Sequence, residues 1–338
     1  MDKPPTNSRN IWEERIADLR RYDLDLLDTQ PIAPEAIESW PVPGLNFVRV
    51  DGILRSWDLE SEKQQKNQQP QNNQDPNALP KRMYLMEDAL TGLNSQKANV
   101  SFVVIGKKSG VNYYMGMSLQ QALDGDEETD SGKISYNILR SILHSGYNGV
   151  DIYKYPVTPD DIRGLIAPIS NYVGIATGVP SLKSTGGDTL ESEQIERIAN
   201  GLQGLEFGML VLAVPVPQRL ISEEEFNIVN AIQNAQENED AEKKRKIKYY
   251  LELQDAFLKH VQLGTAIGHW QTCVYFFANK SDVFIRLQSL IRATFTDEMC
   301  RPTPLRTHVV KGLRPHLLQF GLLSNQRIDQ SYSNLSAF

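Results

Sequence analysis

The sequence predicts an α+β protein, with mixed sheets and helices packed on them, and the stretch 208–306 carries most of that prediction. Residues 209–214 form a short apolar run rich in β-branched side chains, which is typical of a strand buried on both faces. A capping-box serine and apolar residues at helical spacing then predict one long charged helix over 222–263. A second apolar strand over 270–278 and a further helix over 283–293 complete a β-α-β-α unit.

The composition is that of an ordinary globular protein. Of the 338 residues, 40% are hydrophobic and 23% are charged, and no apolar run approaches the roughly 20 residues that a bilayer crossing requires. The polar amino terminus lacks the apolar core of a secretory signal, so we expect a cytoplasmic protein. Cys273 and Cys300 are too few for a disulfide scaffold. A net charge of -7 argues against a surface that attracts nucleic acid everywhere.

The chain divides into three predicted regions. Residues 1–98 hold an amphipathic helix at 11–27, strands near 45–57 and 82–86, and a Gln/Asn-rich loop at 58–80 that is predicted to be disordered. Residues 99–306 form the mixed α/β core domain. Residues 307–338 are mixed and polar, and we expect this extension to lead to a missing domain.

The first half of the core is predicted as alternating strands and helices. Two β-rich runs flank a Lys-Lys-Ser-Gly turn, which indicates a hairpin. Helices that connect roughly parallel strands are expected after it. The predicted elements are strands at 99–106 and 111–117, a helix from 134 to about 146, a short helix from Pro159, a strand at 172–177 and a helix at 190–202.

Three stretches invite comparison with a phosphate-binding loop, and none fits it. That loop needs Gly, four residues, then Gly-Lys-Ser/Thr, because the backbone curls round the phosphates while the lysine reaches them. In 178–185, Lys183 stands where the second glycine must be and Pro180 removes an amide donor. Gly106 has no glycine five residues before it, and Gly132-Lys133 is followed by isoleucine. We therefore predict no cofactor-binding residues in this chain and interpret all three stretches as ordinary turns.

Other candidate site residues also favour structural interpretations. His269 and Cys273 lie four residues apart, yet a metal site normally needs three or four ligands, so no metal site is predicted. No nucleophile elbow or zinc motif occurs, so no catalytic residue is predicted. The basic block 243–248 indicates a solvated helix face, with nucleic-acid contact as the alternative. Arginines that could reach a neighbouring subunit or DNA are Arg286, Arg292, Arg301 and Arg306.

Several short motifs resemble the amino-terminal region of HerA-FtsK type pumping ATPases, which include the conjugation and type IV secretion ATPases. They lie at 176–183 (ATGVPSLK), 201–215, 268–276 (GHWQTCVYF), 287–291 and 302–306 (PTPLR). In that family this region is non-catalytic and assembles subunits or docks partners, while a carboxy-terminal RecA-like motor binds ATP.

The resemblance implies an assembly or docking region that is a homo-oligomer or binds an ATPase partner, with ATP and magnesium expected only in the missing motor domain. No family catalytic residue has a matching position in this chain. The alternatives are a free-standing scaffold of a secretion or phage-like assembly, and an enzyme of unrecognised type.

Overall fold

The computed structural model describes nine ranges of the chain, and they form an α+β fold, which confirms the predicted class. The described residues are 38–39, 44–52, 90–119, 128–146, 151–177, 192–237, 244–295, 305–309 and 312–322. The predicted helix at 11–27, the loop at 58–80 and the strand at 82–86 lie outside these ranges. None of the described helices is long and apolar enough to cross a membrane.

An eight-stranded sheet organises the described residues. Its strand order is β5-β2-β4-β3-β7-β8-β6-β9, and each of these pairings is antiparallel. A separate two-stranded sheet pairs β1 with β10. The strands are β1 (Glu38–Ser39), β2 (Asn46–Gly52), β3 (Ala98–Lys107), β4 (Gly110–Leu119), β5 (Asp151–Ile152), β6 (Tyr172–Thr177), β7 (Phe207–Pro215), β8 (Trp270–Ala278), β9 (Arg306–His308) and β10 (Gly321–Leu322).

Helices cover both faces of this sheet. They are α1 (Glu128–Gly146), α2 (Pro159–Ile166), α3 (Ser192–Gly201), α4 (Gln218–Glu237), α5 (Lys244–Ile267), α6 (Ser281–Phe295) and α7 (Leu313–Leu318). Residues 90–95 are also helical, and a short 3-10 helix spans Ala167–Ile169. The α2 helix begins with the capping box of Thr158 and Asp161, which satisfies amide groups at its start.

The alternation of side chains along β3 divides the core into two layers. Val103 and Ile105 belong to a cluster on one face, which α2 and α7 cover. Val100 and Val104 point to the other face, where α1, α3 and α6 pack. Because both faces are covered, β3 reads as a nearly continuous apolar run, as its sequence predicts.

Most of the predicted elements are confirmed. The β3–β4 hairpin pairs Val103 with Tyr114 and turns at residues 108–109, close to the predicted bounds. The strand at 172–177 matches β6, and the helix predicted at 190–202 is α3. Strands joined by a single helix run in the same direction, as predicted: β6 and β7, for example, both pair antiparallel with β8.

The predicted single long helix over 222–263 is wrong. The structure has two helices, α4 and α5, packed side by side in opposite directions, so that Ile221 lies in one cluster with Val261 and Ala235 in another with Ile247. One straight helix would place Ile221 and Val261 about 60 Å apart, at 1.5 Å per residue. Two antiparallel helices return the chain to the end of the sheet it left, and for that reason β8 pairs antiparallel with β7.

Candidate functional site: a helical arm

Helices α4 and α5, which we call the helical arm, meet along a seam with a seven-residue period. Positions 247, 250, 254, 257 and 261 of α5 are spaced three or four residues apart, and all five are buried. In α4 the buried positions 221, 228 and 235 recur every seven residues. This spacing keeps one stripe of each helix against the other, as in an antiparallel coiled coil.

The arm has an apolar core of its own. Its two clusters contain residues of α4 and α5, joined by Val216 from the segment that enters α4, and no member of the eight-stranded sheet among the described residues. Gln254 is buried in the seam, where its amide donates a hydrogen bond of 2.9 Å to the Tyr250 hydroxyl. The buried polar group is thereby satisfied.

The base of the arm is tied to the sheet through His269. The His269 carbonyl accepts hydrogen bonds from the Val216 amide at 2.9 Å and from Asn94 Nδ2 at 3.0 Å. Its ring Nε2 lies 2.9 Å from the Val261 carbonyl, which can only accept, so Nε2 carries the hydrogen. Gly268, with φ of 93°, makes the turn between α5 and β8. These bonds fix where the arm leaves the sheet.

Burial sets the protonation of His269. The pKa of the imidazole is lowered because burial disfavours its charged form, and the hydrogen bond to Val261 opposes that shift only in part. The lowered pKa favours the neutral ring at neutral pH, and in this form Nε2 donates to the Val261 carbonyl.

The outer surface of α4 carries two large apolar side chains that the seam does not use. Phe226 is 66% exposed and Leu220 is 47% exposed. On the same helix, Arg219 and Glu223 form a surface ion pair of 3.2 Å. Burial raises the pKa of the half-buried Glu224 carboxyl above its usual value. This mixture of exposed apolar and charged groups suits contact with another protein.

The stretches compared with phosphate-binding loops have structural roles where they are described. Gly106 ends the apolar part of β3, and a Cβ there would lie 2.2 Å from the Phe207 ring, so the glycine makes room for that ring. Gly132 and Lys133 lie within α1. Residues 178–185, with Lys183, lie outside the described part of the chain.

Among the described residues, His269 and Cys273 have no third metal ligand beside them. His269 precedes β8, whereas Cys273 is buried in the cluster on the face that α2 and α7 cover. Within the nine described ranges, no group of three His, Cys, Asp or Glu side chains could hold a metal ion.

The described basic residues among those predicted lie on α5, α6 and β9. Lys244 begins α5, and Lys248 is exposed one turn later. Arg286 and Arg292 are exposed on α6, whereas Arg306 is exposed on the edge strand β9. Lys243 and Arg301 lie outside the described residues. In the part of the chain that the structure describes, Lys248 thus lies on α5, whereas Arg286, Arg292 and Arg306 lie on α6 and β9, which are joined by the bond from Gln288 Nε2 to Thr307 Oγ1.

The fold and the arm together define a class: an α+β protein built on an antiparallel sheet that carries a paired-helix arm. Comparison with known proteins adds no family to that class. A scan against models of protein families finds no match, and neither does a search of curated protein sequences.

Proposed function

We propose that this chain is the non-catalytic assembly or docking region of a HerA-FtsK type ATPase that moves DNA or protein. In this proposal the sheet is a rigid platform and the helical arm is the docking element. ATP and magnesium bind to the motor domain of the partner, and the chain itself performs no nucleotide chemistry.

The observation that carries the proposal is the self-sufficient packing of the arm. Its core closes between α4 and α5, so Phe226 and Leu220 are not needed to hold the helices together. Burying such side chains in a complex gains about 25 cal/mol per Å² of apolar surface. A large aromatic side chain presented on a rigid helix is also a common anchor of protein interfaces.

The hydrogen bonds at His269 support the same role. A docking element is more effective when its orientation is set before binding, because less conformational freedom is then lost in the complex. Asn94 and Val216 both bind the His269 carbonyl and so hold the base of the arm in one orientation.

The alternative is a free-standing scaffold of a secretion or phage-like assembly. The same arm favours it, because paired helices can dock on any protein partner. The two proposals differ in the identity of the partner: a P-loop ATPase in the first, a structural protein without that loop in the second.

The experiment is affinity capture of the tagged chain from its native cells, with the bound proteins identified by mass spectrometry. We expect a P-loop ATPase in stoichiometric amount, and we expect Phe226→Glu to abolish its recovery. Ile285→Glu is the matched control, because Ile285 is 57% exposed on α6, outside the arm. Recovery of a structural protein would favour the scaffold, and a chain recovered alone would contradict both proposals.

A further inference from the structure

A cluster of aromatic and basic side chains lies at one edge of the sheet, next to β5. Tyr153 and Tyr155 are 40% and 59% exposed, and their rings meet edge to face at 5.9 Å between centroids. The Arg49 guanidinium lies 4.1 Å from the centre of the Tyr153 ring, and Lys154 Nζ lies 5.7 Å from that of Tyr155. We call these four residues the tyrosine cluster.

The backbone of the tyrosine cluster is fixed at both ends. The Tyr153 amide donates to the Arg49 carbonyl at 3.0 Å, and the amides of Phe47 and Val157 each donate to the other's carbonyl at 2.9 Å. Between these points, the hydroxyl of the buried Tyr136 on α1 lies 3.2 Å and 3.1 Å from the carbonyls of Tyr153 and of the next residue. The rings are therefore presented on a support that is set before binding, which lowers the entropy cost of a complex.

Cations outnumber acidic residues in the segments that form this surface. The acidic residues are the single aspartates of β2 and β5, at positions 51 and 151. Residues 132–144 of α1 and residues 153–158 contain no aspartate or glutamate. The cations are Arg49, Lys154 and Arg140, the last of which is exposed on α1 one turn after Tyr136. The excess favours a ligand that carries negative charge.

The size of the tyrosine cluster decides between two kinds of anionic ligand. A stable protein interface draws on roughly 20–30 residues a side, far more than this cluster supplies. A single strand of nucleic acid needs less surface, because each base that stacks on an aromatic ring strengthens binding by at least about 5-fold. Phosphates and bases alternate along such a strand, and cations and rings alternate in the cluster.

We propose that the tyrosine cluster and Arg140 bind single-stranded DNA. A base stacks on the exposed ring of Tyr155, while Lys154 and Arg140 pair with neighbouring phosphates. Arg49 stays on the Tyr153 ring and holds it against Tyr155. The choice of DNA over RNA rests on the function proposed above, in which DNA is one of the two cargoes.

The test is the fluorescence anisotropy of labelled dT12 titrated with the purified full chain, without any ATPase. Tyr155→Ala should raise the Kd at least about 5-fold and leave its salt dependence unchanged, because the change removes a stacking ring and no charge. Lys154→Ala and Arg140→Ala should each lower the slope of log Kd against log salt concentration by about 0.7, the value for one phosphate contact to a single strand.

Two variants on other elements are the matched controls. Tyr172→Ala removes a ring that is 43% exposed at the start of β6, and Lys280→Ala removes an exposed cation just before α6. Both should leave the Kd and its salt dependence unchanged. Tyr155, Lys154 and Arg140 are also exposed, so all the variants should keep the wild-type urea midpoint.

Further probes decide whether the strand is recognised by its bases. A strand of the same length without bases should bind at least about 5-fold more weakly than dT12, and equal binding would overturn the proposal. Tighter binding of the RNA strand rU12, or binding of a polyglutamate peptide that Tyr155→Ala abolishes, would also overturn it. So would a wild type that fails to bind dT12 at about 50 mM salt, or an equal loss in the control variants. None of these results depends on capture of an ATPase, so the proposed function is tested separately.

Discussion

His269 shows how a single side chain can set the geometry of a whole element. Its carbonyl joins the chain that enters α4 to the helical turn at 90–95, and its ring binds the last part of α5 through Val261. The sequence predicts only that His269 is more suited to packing than to metal binding. The partners could not be predicted, because Asn94 lies 175 residues away in the chain.

The burial of His269 predicts a specific dependence of stability on pH. The folded protein holds the imidazole below its ordinary pKa of 6.5, whereas the unfolded chain takes up a proton near that value. The unfolded state therefore binds more protons below pH 6.5, and the free energy of unfolding should fall as the pH drops through that region. Above it, both states are neutral and the contribution of His269 to the pH dependence vanishes.

Urea unfolding at about pH 5.5 and about pH 7.5, on either side of the ordinary histidine pKa, measures this effect. His269→Gln keeps an amide donor for Val261 and should remove part of the difference in unfolding free energy between the two pH values. His144→Gln is the control, because His144 is exposed on α1 and should leave the difference intact. An equal pH dependence in the wild type and His269→Gln would refute the assigned role.

At the scale of the element, the sequence predicts that the arm is helical but not that it consists of two helices packed together. The apolar spacing correctly predicts helical structure, but the charge reversal between 237–242 and 243–248 does not predict that α4 and α5 pack against each other as two helices. The seven-residue period of the buried positions is the missed signal, because a sustained period of that kind predicts a helix that packs against a partner helix. The partner is the preceding half of the same stretch.

The separate core of the arm predicts that it can unfold while the sheet remains intact. Phe257→Ala removes a buried ring from the seam, a change that costs about 3–5 kcal/mol in protein cores. We expect amide hydrogen exchange measured by mass spectrometry to rise throughout α4 and α5 and to stay native in β3 and β7. The exposed Lys259→Ala serves as the control. Simultaneous loss of protection in the sheet would show that the arm is part of the main core.

The surface beside β5, where Tyr153 and Tyr155 are exposed, illustrates a second limit of prediction at this scale. The sequence pattern predicts no element at 151–157, because β5 is two residues long and carries no periodicity. Tyr153 is held there by Arg49 and Tyr136, which belong to different elements and approach it only in the folded chain. No spacing rule within the sequence would have brought these residues together.

For the whole molecule, the sequence predicts the class of the fold better than its topology. Long, strongly β-branched runs such as β3, β7 and β8 are recognisable because their propensity and burial agree. Their antiparallel order is not recognisable in the sequence, because a single helix between two strands favours strands that run in the same direction. The doubled helix between β7 and β8 reverses that expectation.

The carboxy-terminal part of the described chain completes the platform. The Tyr275 hydroxyl donates to the Gly321 carbonyl and so fastens β10 over the face that α7 covers. The pKa of Tyr275 is raised well above its usual value because the phenol is buried, so the hydroxyl keeps its proton. The residues that build this face therefore serve packing, consistent with a platform in the proposed assembly role.

Our central proposal is that the chain binds partners and leaves nucleotide chemistry to another domain. The most direct measurement is the rate of ATP hydrolysis by the purified full chain, with Lys183→Ala beside the wild type. We predict no phosphate release above the rate without protein, and the same result for both chains. Hydrolysis by the wild type that is lost in Lys183→Ala would contradict the proposal.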